Sequence, residues 1–108
     1  VEQFVEKPDA KTAKKYVESG DYVWNSGMFC FKAEAFLKEL TAYQPEMARF
    51  VQQVANSFED TGDFVQINKD IFAAIVGESI DYAVMEHTKK AAVVPMECGW
   101  TDAGSWEA

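Results

Sequence analysis

Glu6 and Lys7 stand side by side ahead of Pro8, Asn25 opens Asn25-Ser26-Gly27, and Asp102 lies between Trp100 and Trp106. These are the side chains whose types could do chemistry. By spacing alone a carboxylate next to an ammonium is an ordinary solvated ion pair. Asn25 and Ser26 precede the apolar run Met28-Phe29-Cys30-Phe31. Polar, donor-rich residues at the mouth of a buried strand are where ligand sites tend to sit in α/β proteins. By spacing alone, with Gly27 behind them, they read rather as a loop feeding a core strand in which Asn25 caps a turn. Asp102 brings the ligand type that Mg²⁺ commonly shares with substrate phosphates. Its alternative is an Asx-turn near Gly104. No Ser/His/Asp or Cys/His constellation accompanies these residues. His87 has no second His or Cys nearby and reads as structural, close to a helix end that suits a cation. Cys30 and Cys98 follow no metal or redox spacing. Cys30, in an apolar run, is expected to be a buried free thiol, which fits a reduced, cytoplasmic setting.

The elements that must position these side chains follow from pattern. Val1–Val5 reads as the end of a strand, stopped by Pro8, which is expected to hold Lys7 extended. Asp9 is an N-cap for a surface helix over Ala10–Ser19, and Gly20 ends it. Met28–Lys32 and Ala91–Met96 read as buried strands, with Pro95 marking an edge or an irregular position. The spacing predicts that they share one sheet with Val1–Val5. Ala33–Tyr43 carries Phe36, Leu37 and Leu40 on one face. Pro45 suits the first turn of the next helix. There Met47, Phe50, Val51, Val54, Ala55 and Phe58 recur with helical period and mark core packing. Glu59–Asp63 reads as a polar turn around Gly62. Asn68 caps a short helix through Ile71, Phe72, Ile75 and Val76, stopped at Gly77. Ser79 caps another, Ile80–Thr88, and Lys89 and Lys90 form its solvated end.

The 108 residues suffice for one small domain with a core, and 48% are hydrophobic, which excludes a disordered sequence. Ten basic against eighteen acidic residues leave a net charge of −8. That balance argues against a nucleic-acid surface. It does not argue against a phosphate ligand, since one well-placed Lys outweighs distant charges. No apolar run approaches a membrane span, and no signal peptide is visible.

Four stretches, in this order and at these distances, resemble the mannose-1-phosphate guanylyltransferases of the sugar nucleotidyltransferase group. They are Phe4-Val5-Glu6-Lys7-Pro8, Trp24-Asn25-Ser26-Gly27-Met28-Phe29, Ser79-Ile80-Asp81-Tyr82-Ala83-Val84-Met85-Glu86, and Gly99-Trp100-Thr101-Asp102-Ala103-Gly104-Ser105-Trp106. The resemblance covers nearly the whole chain but only the later half of the family's catalytic domain. It implies an α/β fold, part of a Rossmann-like mixed-sheet nucleotidyltransferase domain, with residues 1–108 its C-terminal, sugar-phosphate-binding part. The implied reaction joins mannose 1-phosphate and GTP into GDP-mannose and pyrophosphate, with Mg²⁺ as cofactor, in polysaccharide biosynthesis. Its implied partners are these small molecules, with neither nucleic acid nor membrane. By the same resemblance Glu6 bonds sugar hydroxyls, Lys7 pairs with the sugar phosphate, Asn25 contacts the sugar, and Asp102 binds Mg²⁺. Lys7 and Asp102 are the implied catalytic pair. The family's Gly-rich, Arg-containing nucleotide loop has no counterpart here, so the chain alone is expected to be inactive. Two alternatives stand beside this reading: a relative using another sugar phosphate or nucleotide, and a non-catalytic regulatory module that binds a sugar phosphate.

Overall fold

The computed structural model describes residues 1–101 and 103–106; Asp102, implied as a catalytic residue and metal ligand, lies outside the described residues, as do the last two positions. Of Asp60 only the backbone is described. Three helices form where local signals place them. Helix α1 spans Ala10–Ser19: the Asp9 carboxylate accepts from the Lys11 and Thr12 amides at 2.9 and 3.0 Å, and Gly20 ends it at φ 74°. That positive φ costs glycine little, because it has no Cβ to clash. Helix α2 spans Ala33–Tyr43, and helix α3, Pro45–Asn56, starts on Pro45 as predicted and stops two residues short of Phe58. A short helix α4, Lys69–Ala73, is capped by the Asn68 side chain. Where an α-helix was expected from Ile80, the chain makes a π-helical turn, Asp81–Met85.

The core lies where α2, α3 and the π-helical turn meet. Leu40, Ala83 and Val84 are buried there, with Phe36, Met47 and Ala48 packed around them. Val54 is buried further along α3, while Phe50 and Val51 are half-covered. The stripe of α3 therefore faces inward from Met47 to Val54, whereas Ala55 and Phe58, expected to continue it, are exposed. A second tie holds the same corner. The Glu39 carboxylate on α2 accepts from the Thr88 hydroxyl at 2.6 Å and from the Lys90 ammonium at 2.5 Å. Tyr43 and His87 rings lie 5.5 Å apart at the other side of this junction.

Strand expectations fare differently. The only sheet among the described residues is a hairpin in which β1, Glu59–Asp60, pairs antiparallel with β2, Val65–Gln66. The stretch read as a plain polar turn is thus the tip of a hairpin, with Gly62 at φ 93°. Val1–Val5, Met28–Lys32 and Ala91–Met96 form no ladder. A hydrogen bond joins the first and last, the Val1 ammonium donating to the Ala91 carbonyl at 3.0 Å. A strand is defined by the neighbour that takes its backbone hydrogen bonds, and these runs lack one on either side. Without that cover Met28, Phe31, Val93 and Val94 stay exposed, and so does Cys30, which is not the buried thiol its apolar neighbours suggested. The fold is mixed α and β in content, helical in its core.

Candidate functional site

Lys7 departs from the extended backbone that Pro8 suggested. Its φ is 46°, in the left-handed region. Pro8 disfavours the right-handed helical region for the residue before it, and here the chain takes the other compact option. A non-glycine residue there stores strain that surrounding contacts must hold. The bend brings the Lys7 ammonium to 2.7 Å from the Glu6 carboxylate. The Lys7 side chain stays 82% exposed, whereas that of Glu6 is 19% exposed. The hydrogen bond to Glu6, then its charge, raise the Lys7 pKa above the ordinary lysine value, with smaller contributions from Tyr82 and Asp81. The ammonium is therefore charged at any physiological pH and open to a ligand.

Asn25 is reached by a different route. The Tyr22 ring stacks on Tyr16 of α1 with centroids 3.9 Å apart, and its hydroxyl donates to the Gln3 side chain at 3.1 Å. One tyrosine thus ties the segment leading into Asn25 to both α1 and the segment leading into Glu6. At Asn25 the side-chain oxygen accepts from the Gly27 amide at 3.0 Å, closing the Asx-turn. Gly27 at φ 71° makes that turn possible without strain. The amide nitrogen of Asn25 donates to Asp81 Oδ1 at 3.4 Å.

The π-helical turn is where these segments converge. Asp81 at its start bonds Asn25, and Glu86 just past its end accepts from the Glu6 backbone amide at 3.3 Å. Buried Ala83 and Val84 between them root the turn in the core. Glu6 and Asn25 are therefore both bonded to this turn or its flank, and Lys7 reaches it through its ion pair with Glu6. Their partners Asp81 and Glu86 were not singled out as site residues. Spacing could not mark them, because the residues they touch lie 56 and 80 positions away. Only their place in the Ser79–Glu86 stretch gave a signal.

The arrangement is an open surface rather than an enclosed pocket. A depression of about 200 Å³ lies elsewhere, at the base of the hairpin, lined by Ser57, Glu59, Gln66, Ile67 and Asn68. Among the described residues no three carboxylate, imidazole or thiol groups converge to hold a metal through protein ligands alone. The carboxylates near Lys7 already serve other partners: Glu6 takes the Lys7 ammonium, and Asp81 takes the Asn25 amide. An exposed ammonium, an exposed amide and shielded carboxylates suit a small ligand that carries both phosphate and hydroxyl groups.

Likeness to known proteins gives the family. The family model described as nucleotidyl transferase matches residues 1–108. A mannose-1-phosphate guanylyltransferase of Salmonella muenchen is 50% identical over all 108 residues, which span 23% of that protein. The xanthan biosynthesis protein XanB of Xanthomonas campestris is also 50% identical over the same span, and the mannose-1-phosphate guanylyltransferase of Escherichia coli K12 is 46% identical. The chain thus spans less than a quarter of the length of these relatives. Among solved structures, a mannose-6-phosphate isomerase from Helicobacter pylori superposes with a TM-score of 0.73 at 29% identity, over 82% of this chain and 36% of that one. A match along every residue, joined to likeness in both sequence and structure, places the chain in the nucleotidyl transferase family.

Proposed function

We propose that this chain is the sugar-phosphate-binding part of a mannose-1-phosphate guanylyltransferase. The observation that carries the reading is the grouping of Glu6, exposed Lys7 and Asn25 around Asp81–Met85. The names of the relatives supply the sugar. In the proposed reaction a phosphate oxygen of mannose 1-phosphate attacks the α-phosphorus of GTP. A P–O bond forms there, the α–β bridging P–O bond breaks, and pyrophosphate leaves with the electron pair. Such a step calls for positioning and charge neutralisation more than for covalent help.

The residues divide that work by chemical type. The Lys7 ammonium meets the sugar phosphate and offsets its charge as the two anionic substrates approach. Among the described contacts Asn25 uses one amide hydrogen and one oxygen lone pair, so one of each remains for sugar hydroxyls. The Glu6 carboxylate, steadied by Lys7, accepts from a diol. Mg²⁺ is part of this proposal, with Asp102 as its ligand. The donor type fits, since Mg²⁺ takes one or two carboxylates and completes its shell with waters and substrate phosphates. When bound it would supply charge neutralisation on those phosphates. A cytoplasmic setting belongs to the same proposal; no described helix is long and apolar enough to cross a membrane.

The test is to assay the full-length protein carrying this sequence against a panel of nucleoside triphosphates and sugar 1-phosphates. GDP-mannose and pyrophosphate from GTP and mannose 1-phosphate are the expected products. Turnover with another sugar phosphate, and none with mannose 1-phosphate, would overturn the choice of substrate.

A further inference from the structure

We infer that Asp81 is a positioning residue, holding the Asn25 amide in the one orientation that presents it to the sugar phosphate. The inference rests on the proposed role of Asn25. An asparagine amide can turn over and exchange its nitrogen and oxygen, so an unguided Asn25 would offer a ligand two opposite hydrogen-bond patterns. Here both ends are specified. The Gly27 amide is a donor and requires the oxygen, at 3.0 Å. The Asp81 carboxylate is an acceptor and requires the nitrogen, at 3.4 Å. Gly27 holds the planar amide at its oxygen alone, and the Asp81 bond at the nitrogen fixes the plane and with it the direction of the remaining hydrogen.

Asp81 is suited to this task by where it stands. It begins the π-helical turn, whose Ala83 and Val84 are 2% and 3% exposed. The Ser79 carbonyl accepts from the Ala83 amide at 2.8 Å, and the Ser79 hydroxyl lies 3.4 Å from the Tyr82 amide. The carboxylate is thus mounted on the most deeply buried part of the described residues, while Asn25 stands on an exposed loop. Glu86, at the far end of the same turn, holds the backbone of Glu6. Irregular helical turns of this kind occur often at functional sites, because they re-aim side chains that a regular helix would point elsewhere.

The experiment is steady-state kinetics of the full-length protein against varied mannose 1-phosphate, with Asn25→Ala, Asp81→Ala, Asp81→Asn and the Asn25→Ala/Asp81→Ala double variant. Asp81→Ala should raise the KM for the sugar phosphate about tenfold, with kcat within about twofold. Asp81→Asn keeps a side-chain oxygen in place and should recover most of that loss. Because Asp81 acts through Asn25, the double variant should be no worse than Asn25→Ala alone. Losses that multiply in the double variant, or a wild-type KM in Asp81→Ala, overturn the inference. If Asp81→Ala does not fold, Asp81→Ser, whose hydroxyl falls short of Asn25, takes its place. Failure of the proposed function shows separately, as an Asn25→Ala variant with unchanged KM. A crystal structure of the Asp81 variant then decides: a displaced Asn25 amide sustains the positioning role, and an unmoved one ends it.

Discussion

Lys7 is strained in its backbone and exposed in its side chain, and the two can be separated by substitution. The left-handed φ of 46° favours glycine over any residue with a Cβ. Lys7→Gly in the full-length protein should therefore unfold at a higher temperature than Lys7→Ala. Both lack the ammonium, so both should raise the KM for mannose 1-phosphate, by about tenfold or more. Thermal melts and kinetics on the pair check this; equal KM values to wild type would remove the phosphate role. Asp102→Asn should behave differently, lowering turnover and raising the Mg²⁺ requirement, since it keeps the side-chain shape and removes the charge proposed to bind metal. Wild-type turnover at limiting Mg²⁺ would leave Asp102 as a turn residue only. At this scale the sequence was readable for residue type and silent on partnership. Lys7, Glu6 and Asn25 could be named from their motifs, but neither the bend at Lys7 nor the hold of Asp81 on Asn25 has a local signature.

At the scale of elements, the junction of α2 with the π-helical turn is the part to perturb. Leu40→Ala removes a side chain that is 5% exposed and should cost about 2–4 kcal/mol, measured by denaturant unfolding. The Glu39 tie adds a pH dependence. Hydrogen bonds from Lys90 and then Thr88 hold the Glu39 carboxyl below its ordinary value of 4.5. Hydrogen bonding to Glu39 likewise raises Lys90 above 10.5. A lowered carboxyl stabilises the fold above its unfolded value and loses that contribution as pH falls through the folded one. A raised ammonium stabilises below its unfolded value and loses the contribution as pH rises through the folded one. The tie is accordingly complete from about pH 4.5 to about pH 10.5. Lys90→Met should shift the Glu39 midpoint upward in a ¹³C titration; an unmoved midpoint would show that Thr88 alone holds it. Helices α1, α3 and α4 were legible because their caps and stripes are local: Asp9, Gly20, Pro45 and Asn68 each act within a few residues. The three apolar runs were not. Their extended conformation is local, but a ladder needs a neighbour that composition does not supply, and the Glu59–Gln66 hairpin hid behind strands of two residues each.

At the scale of the whole molecule, the chain buries little for its length. Its radius of gyration is 17.6 Å, and it extends 51 × 36 × 25 Å. A compact domain of this size would have a radius near about 13 Å. Only Leu40, Val54, Ala83 and Val84 are buried apolar residues among those described, while Trp24 is 87% and Val94 is 86% exposed. A cooperative transition requires that most of the apolar surface be lost from water together, and here one corner holds nearly all of it. The 108-residue chain on its own should therefore unfold in urea over a broad range, with an m-value below about 1 kcal/mol/M. It should also bind ANS before any denaturant is added. The site depends on the same corner, since the Asp81–Met85 turn rooted there carries the partners of Asn25 and Glu6. With no Gly-rich, Arg-containing loop in these residues to cradle a nucleotide, the isolated chain should form no GDP-mannose from GTP, Mg²⁺ and mannose 1-phosphate. The full-length protein, assayed beside it, should do so. A steep urea transition would show that this corner suffices to fold the chain. Turnover by the 108 residues alone would overturn the expectation that such a loop is needed.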